Sequence, residues 1–306
     1  MAVILGIDIG GSTTKIVGLR EDTSTIAMER VKAEGPLTSL YGALGSFLTN
    51  NRLELQDIER IVLTGVGASH VEGNIYGIPT MKVEEFTAVG TGGLALSGRD
   101  RAVVVSMGTG TAFIWADRAT GEMVHLGGSG VGGGTLTGLC SLLCGARQFE
   151  QIQKLSSQGD ISKIDLNVGD ITGEGYSALP LDITAANFGN VADDATHSDI
   201  ATGIVNMIFQ SIGTTAVMAC RAKNCDTVVL TGFMTVLEQC RPCFDLFTRL
   251  HKIQFIIPPH ATYATSIGAA LCSFGQYEPS AASPGRSAEK TPEIEKNSCK
   301  PSPGIV

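Results

Sequence analysis

The chain has one tryptophan and only 6% aromatic residues in 306, and its 22 Lys and Arg stand against 30 Asp and Glu for a formal net charge of −8. No Lys/Arg cluster and no basic stripe interleaved with aromatics occurs, which disfavours nucleic acid and anionic membranes as primary partners and leaves small ligands. The apolar run in MAVILGIDIGG has no basic segment before it and no small-residue cleavage site after it. It therefore reads as a buried strand, not a secretory signal. No run is expected to reach the length of a membrane span. GxxxxGK(S/T) is absent and no GxGxxG follows the first strand, which disfavours P-loop and Rossmann folds. The eight cysteines, Cys140, Cys144, Cys220, Cys225, Cys240, Cys243, Cys272 and Cys299, lack the regular framework of a small secreted domain, and a reducing cytoplasm is the expected location. Cys240 and Cys243 have redox-motif spacing, but no second CxxC or His pair completes a metal site, so they read as buried or partly buried thiols on a helix.

Glycine is the abundant residue, 38 in a chain that is 43% hydrophobic and 17% charged. That balance belongs to a globular protein, and the length allows two domains of about 100–200 residues with a cleft between them. Val3 to Asp8 is a β-rich run ending in Gly10-Gly11-Ser12-Thr13-Thr14, after which Lys15 to Leu19 resumes the apolar pattern: strand, tight turn, strand. Leu40, Leu44, Phe47 and Leu48 give 36–52 a helical period, Ile58 to Thr64 is a short strand, and 82–97 is a helix rich in small residues. A second block repeats the first, with strands at Ala102 to Ser106 and Ala112 to Ala116 around a Gly108-Thr109-Gly110-Thr111 turn. Gly127 to Gly138 reads as a flexible loop opening a helix whose N-terminus favours an anion. Helices over 147–158, 198–223 and 266–274, and strands over 227–230 and 254–257, complete the pattern. The predicted fold class is α/β, with one domain over 1–101, a second over 102–275, and a disordered tail over 276–306 that holds five of the eleven prolines.

Four segments carry the chemistry. In DIGGSTTK, Gly10 and Gly11 allow the backbone to approach a phosphate, Ser12, Thr13 and Thr14 offer hydroxyls, Lys15 completes the phosphate set, and Asp8 at the strand end can hold a Mg²⁺–water shell. SMGTGT has the same credentials, placing Gly108, Thr109, Gly110 and Thr111 on the other side of a nucleotide, so that two hairpins form a clamp. LTGF turns at Gly232, where an adenosine can rest with little side-chain interference. GGSGVGGGTLTGL offers Gly132, Gly133 and Gly134 to the phosphates. Each segment alone also reads as an ordinary turn or linker; the ordered set is what is specific.

That set, DIGGSTTK, VSMGTGT, VGGGTLTGL and VVLTG, resembles the phosphate and adenosine motifs of the actin, hexokinase and Hsp70 superfold. VEEF, GGSGVGGGTLTGLCSLL and DITAANFGN resemble type II pantothenate kinases in particular, so that the likeness covers about residues 3–274. It implies two RNase H-like domains around an interdomain nucleotide cleft, ATP and Mg²⁺, and phosphorylation of pantothenate to 4'-phosphopantothenate, the first step of coenzyme A biosynthesis. On matching positions it implies that Glu85 is the general base on the primary hydroxyl, with Glu84 beside it and Thr109 near that hydroxyl. Ala185 and Ala186 are implied to contribute to the pantothenate pocket of a partner subunit, hence a homodimer, with coenzyme A thioesters as feedback ligands. The family's arginine before the glycine loop is His125 here. An imidazole reaches less far than a guanidinium and hydrogen-bonds differently, so a changed acceptor and a pH-dependent or lowered activity both stay open. Three other readings stand beside this one. They are an activator ATPase of 2-hydroxyacyl-CoA dehydratases with an intersubunit iron–sulfur cluster, a sugar or N-acetylhexosamine kinase, and a non-catalytic ATP-binding regulator.

Overall fold

The computed structural model describes residues 2–32, 35–172 and 180–274, and the tail predicted over 276–306 lies outside the described residues. The first lobe contains β1 (Val3–Ile9), β2 (Thr13–Arg20), β3 (Thr25–Lys32), α1 (Pro36–Asn51), β4 (Ile58–Thr64) and β5 (Thr80–Lys82). Its strands lie in the order β3-β2-β1-β4-β5, with β1, β2 and β3 antiparallel and β4 and β5 running parallel to β1. All seven residues of β1 are buried, as expected of a central strand covered on both faces. Leu5, Ile7 and Ile9 pack on Leu40, Leu44 and Phe47, which share one face of α1.

The chain continues through α2 (Glu85–Ser97), β6 (Arg101–Met107), β7 (Thr111–Asp117), β8 (Glu122–Ser129), α3 (Gly133–Cys144), α4 (Phe149–Ser156), β9 (Leu166–Asn167), α5 (Val168–Thr172) and β10 (Thr184–Ala186). It ends in α6 (His197–Ala222), β11 (Thr227–Thr231), α7 (Cys240–His251), β12 (Gln254–Ile256) and α8 (Ala264–Cys272). The second large sheet, β8-β7-β6-β11-β12, repeats the topology of the first: three antiparallel strands joined by hairpins, then two parallel ones. The repetition expected from the two glycine turns therefore extends to a whole sheet. Gly127, Gly128 and Ser129 belong to β8, so the glycine-rich stretch is not one flexible loop but a strand end, a turn and a helix start.

α6 corrects the expectation about membrane-span length. It has 26 residues and a mean hydropathy of 1.4 over its most apolar window, long and apolar enough to cross a membrane by length and composition. Its Ile204, Val205, Ile208, Phe209 and Ile212 are buried in the second lobe's core with Val103, Val105 and Phe244.

The lobes exchange their last helices. α2 follows the first sheet in sequence yet packs on the second, with Val89 and Leu94 against Val104 and Ile114. α8 follows the second sheet and packs on the first, with Ile267 and Ala270 against Ile4, Val17 and Val62. The two helices cross in backbone contact: a Cβ on Gly92 would overlap the Ala264 carbonyl, and one on Gly268 would overlap the Ala88 carbonyl. Gly268→Ala is therefore expected to destabilise the protein by about 1–3 kcal/mol or more through overpacking. Gly45→Ala, on the open face of α1 where a Cβ meets nothing, should stabilise it by roughly 0.5–1 kcal/mol. Denaturant unfolding of both variants distinguishes a crossing set by close approach from one that tolerates a methyl group.

Candidate active site

Both glycine turns lie between the first and second strands of their sheets. Gly10 N–H donates to the Thr13 carbonyl at 3.1 Å, and Gly108 N–H to the Gly110 carbonyl at 2.9 Å. Ser12 Oγ lies 3.0 Å from Thr109 Oγ1, although the residues are 97 positions apart in sequence. The two turns thus face each other across the interlobe cleft.

Beneath the first turn a row of side chains crosses the sheet in register: Thr64 on β4, Asp8 on β1, Lys15 on β2 and Arg30 on β3. Asp8 Oδ2 accepts from Lys15 Nζ at 3.2 Å, and both side chains are largely buried. The Asp8 carboxylate has room because the adjacent Gly65 has no Cβ; at φ 85° Gly65 turns tightly over Asp8 and Ile9. Gly65 has a counterpart in Gly232, at φ 92° over the Met107 backbone. VLTGV at 62–66 repeats VLTGF at 229–233, a signal that marks Gly65 from sequence alone. Arg30 was missed because β3 is a half-exposed edge strand without an apolar run. Its guanidinium sits 3.9 Å from the centroid of the Phe233 ring in the other lobe, a cation–π contact between lobes.

α2 brings the acids. Glu84 is its N-cap, its carboxylate accepting from Thr87 N–H at 2.8 Å, which satisfies one of the orphan donors of the first turn. Glu85, the first helical residue, is half-buried near Asp8 and Lys15. Burial first, then repulsion from Asp8 and Glu84, raises its carboxyl above the usual carboxylate range, and Lys15 opposes the shift. Phe86, the next residue, stacks on His125 of β8 with ring centroids 4.1 Å apart and planes 1° from parallel. His125 is thereby held beside the start of α2.

The glycines of α3 serve the second turn. Gly133 N–H donates to the Gly108 carbonyl at 2.9 Å and Gly134 N–H to the Thr109 carbonyl at 2.8 Å. A Cβ on Gly132, Gly133 or Gly134 would press on the 108–110 backbone at 2.8–3.1 Å. The N–H groups expected to face an anion are therefore engaged, those of Gly133 and Gly134 with hairpin carbonyls and that of Gly132 with the Thr135 hydroxyl at 3.3 Å, because the helix start is packed directly onto the hairpin. Thr111 is buried and its hydroxyl donates to the Val131 carbonyl at 2.8 Å, tying the same turn down.

Ala185 and Ala186 are exposed on β10, which pairs with β9 in a separate two-stranded sheet. Their segment is held over α6 by Asp165, a fully buried acid absent from the sequence-based set. Asp165 accepts from Asn206 Nδ2 at 2.7 Å, Phe188 N–H at 2.9 Å, and both Thr184 Oγ1 and Asn187 Nδ2 at 3.2 Å. Cys240 and Cys243 lie on α7, with burial pushing both thiols up to about 12.

A family model described as Fumble matches residues 102–271. Over 263 residues the chain is 30% identical to the Type II pantothenate kinase of Staphylococcus aureus strain USA300, a match covering 78% of this chain and 93% of that one. Among solved structures, the activator of the 2-hydroxyisocaproyl-CoA dehydratase from Clostridium difficile, with bound ADPNP, matches with a TM-score of 0.65 at 16% identity, covering 90% of this chain and 95% of that one. The (R)-2-hydroxyglutaryl-CoA dehydratase component A of Acidaminococcus fermentans matches with a TM-score of 0.63 at 15% identity, over 90% and 99% of the two chains. At such identities these two structures speak to the fold alone.

The raised carboxyl of Glu85 has a stability consequence. A carboxyl that binds its proton more tightly folded than unfolded favours folding at low pH, and that contribution is lost as pH rises through the folded value. Glu85→Gln is thus expected to leave Tm unchanged or higher at pH 7.5, with the difference from wild type shrinking toward pH 4. Lys15→Met, which strands Asp8 in a buried position, is expected to cost about 3–5 kcal/mol. Thermal and denaturant unfolding across that pH range check both; a Tm clearly lowered by Glu85→Gln at pH 7.5 would contradict the stated environment.

Proposed function

The chain belongs to the Fumble family of pantothenate kinases, and from that premise we propose that it transfers the γ-phosphoryl group of ATP to the primary hydroxyl of pantothenate, giving 4'-phosphopantothenate for coenzyme A synthesis. The observation that carries this reading is the half-buried Glu85 at the first position of α2, its carboxyl raised by burial and by Asp8, in the cleft where the two glycine turns meet. A base with a raised pKa lies closer to working pH and accepts a hydroxyl proton more readily than an ordinary carboxylate.

Phosphoryl transfer through a loose transition state asks for alignment and charge neutralisation more than for a strong base. Ser12 and Thr109 present hydroxyls to one another from opposite lobes, and a phosphate chain between the turns would receive both. Glu85 takes the proton of the acceptor hydroxyl, with Thr109 beside that hydroxyl, while Glu84 keeps the helix start in place. The carboxylate oxygens of Asp8 suit a hard cation, and Asp8 would hold Mg²⁺, with Lys15 fixing the orientation of its carboxylate. When bound, Mg²⁺ neutralises charge on the β- and γ-phosphates. Gly10, Gly11, Gly108 and Gly110 let the backbone approach the phosphates, and Gly232 borders the adenosine. His125, stacked on Phe86, would stand on the acceptor side in place of the family's arginine.

The proposal extends to a cytoplasmic homodimer in which Ala185 and Ala186 of one protomer complete the acceptor pocket of its partner, with coenzyme A thioesters as feedback ligands. The exposure of both alanines, on a segment fixed by Asp165, supports it. The activator reading is less well supported. Cys140 is fully buried in the second lobe's core, with its thiol pushed up to about 12 by burial and by Cys144, an unsuitable environment for a thiolate ligand shared between subunits.

ATP consumption measured with pantothenate, pantetheine, N-acetylhexosamines and hydroxyacids should be highest with pantothenate and abolished by chelating Mg²⁺. Glu85→Gln should lower kcat by at least about 100-fold while ATP affinity stays within a factor of about two. In wild type, kcat/KM should fall as pH is lowered, with the limb centred above the ordinary carboxylate range because Glu85 must be deprotonated to act. Normal turnover by the Glu85→Gln variant, or a different preferred acceptor, would overturn the assignment.

A further inference from the structure

A second chemical feature lies at the far end of β11 from Thr231 and Gly232, where α6 terminates. The helix closes in a Schellman turn: Cys225 N–H donates to the Cys220 carbonyl at 2.9 Å and Asn224 N–H to the Arg221 carbonyl at 3.3 Å. Asn224 takes the left-handed position, with φ 49°. This turn brings together the side chains five residues apart, usually as a hydrophobic contact. Here both are cysteines. Their Sγ atoms converge on one acceptor, the Thr227 carbonyl, at 3.6 Å from Cys220 and 3.5 Å from Cys225. Cys220 is buried, whereas Cys225 is half-exposed. Both line an open cavity of about 530 Å³ whose wall also carries Arg101, Arg221 and Lys252 against a single acid, Asp226, together with His251, whose imidazole is held below its ordinary value by burial and by Arg221.

We propose that Cys225 and Cys220 form a reversible dithiol–disulfide pair, oxidised by an anionic low-molecular-weight disulfide received in this cationic cavity. The site is independent of the kinase reading. Cys225 as thiolate attacks one sulfur of the disulfide RSSR, forming Cys225–S–S–R and releasing RS⁻, which takes up a proton to leave as RSH. Cys220 then gives up its proton and attacks the Cys225 sulfur, forming the Cys220–Cys225 bond and releasing the second R group as RSH. Two protein thiols are oxidised, one small disulfide is reduced to two thiols, and both protons leave with them.

The division of roles follows from the surroundings. Cys225 is the more exposed of the two sulfurs and accepts from Thr227 N–H at 3.4 Å; the neighbouring Cys220 thiol and this backbone contact hold its thiol down, which suits an attacking thiolate. The Cys220 thiol is pushed up by its neighbour Cys225 and by burial, which suits the resolving thiol. Burial pushes up Cys140, Cys144, Cys240, Cys243 and Cys272. Among the described residues Cys225 is thus the thiol suited to react first.

The reduced full-length protein, treated with glutathione disulfide, acid-quenched, alkylated and mapped by peptide mass spectrometry, tests this. Loss of two alkylatable thiols, both in the peptide spanning Cys220 and Cys225, is expected. Cys220→Ser should stop the reaction at a mixed disulfide on Cys225, and Cys225→Ser should leave Cys220 reduced. Arg221→Glu should slow oxidation by glutathione disulfide roughly tenfold relative to oxidation by the cationic disulfide cystamine. Prior reaction at Cys140, Cys144, Cys240, Cys243 or Cys272, or no mixed disulfide on Cys225 in the folded Cys220→Ser variant, would overturn the pair. An unchanged rate ratio in Arg221→Glu would overturn the role of the cavity.

Discussion

The backbone contact between α2 and α8 is the constraint on which the rest of the structure depends. Gly92 against the Ala264 carbonyl and Gly268 against the Ala88 carbonyl let the helices cross at a distance no larger residue permits. Because each helix packs on the sheet of the opposite lobe, this one crossing sets how the two sheets face one another. It also aims the N-terminus of α2 at the strand ends of the first lobe, which brings Glu85 near Asp8 and Lys15. The Ser12–Thr109 contact between turns is downstream of the same geometry.

Electrostatics at that point works against stability and for chemistry. Three acids, Glu84, Glu85 and Asp8, lie close together with Lys15 as the nearby cation. The conflict is divided by position: Glu84 satisfies a helix-end N–H, Asp8 is paired with Lys15, and Glu85 carries the raised carboxyl. Functional sites commonly hold such unfavourable arrangements against the surrounding fold. His125 fits the same economy of space. Its flat ring stacks on Phe86 with centroids 4.1 Å apart, which ties β8 to the start of α2.

The elements legible in the sequence were those whose burial is simple. β1, β4, β6 and β11 are almost fully buried and show as short apolar runs, and α1 and α6 show a helical period. β3 and β8 escaped because they are half-exposed edge strands in which polar and apolar residues mix without a run. Among the site residues, the two hairpins were visible through glycine next to hydroxyl residues, whereas Glu85 was singled out from Glu84 by family resemblance. The physical distinction between the two acids is helix phase: one residue caps α2 and the next starts it. Arg30 and Asp165 left no local signal, since each acquires its meaning from partners in another lobe or another element.

By itself the sequence determined the α/β class, the repeated strand–turn–strand unit and the chemistry available at each turn, because burial period and backbone freedom are properties of neighbouring residues. Only the tertiary structure decided that Gly132 to Gly134 brace the second turn with their N–H groups engaged, that α2 and α8 change lobes, and that Cys220 and Cys225 share one carbonyl. These outcomes depend on which surfaces meet after folding, and small residues permit many such meetings. Close packing selects one of them.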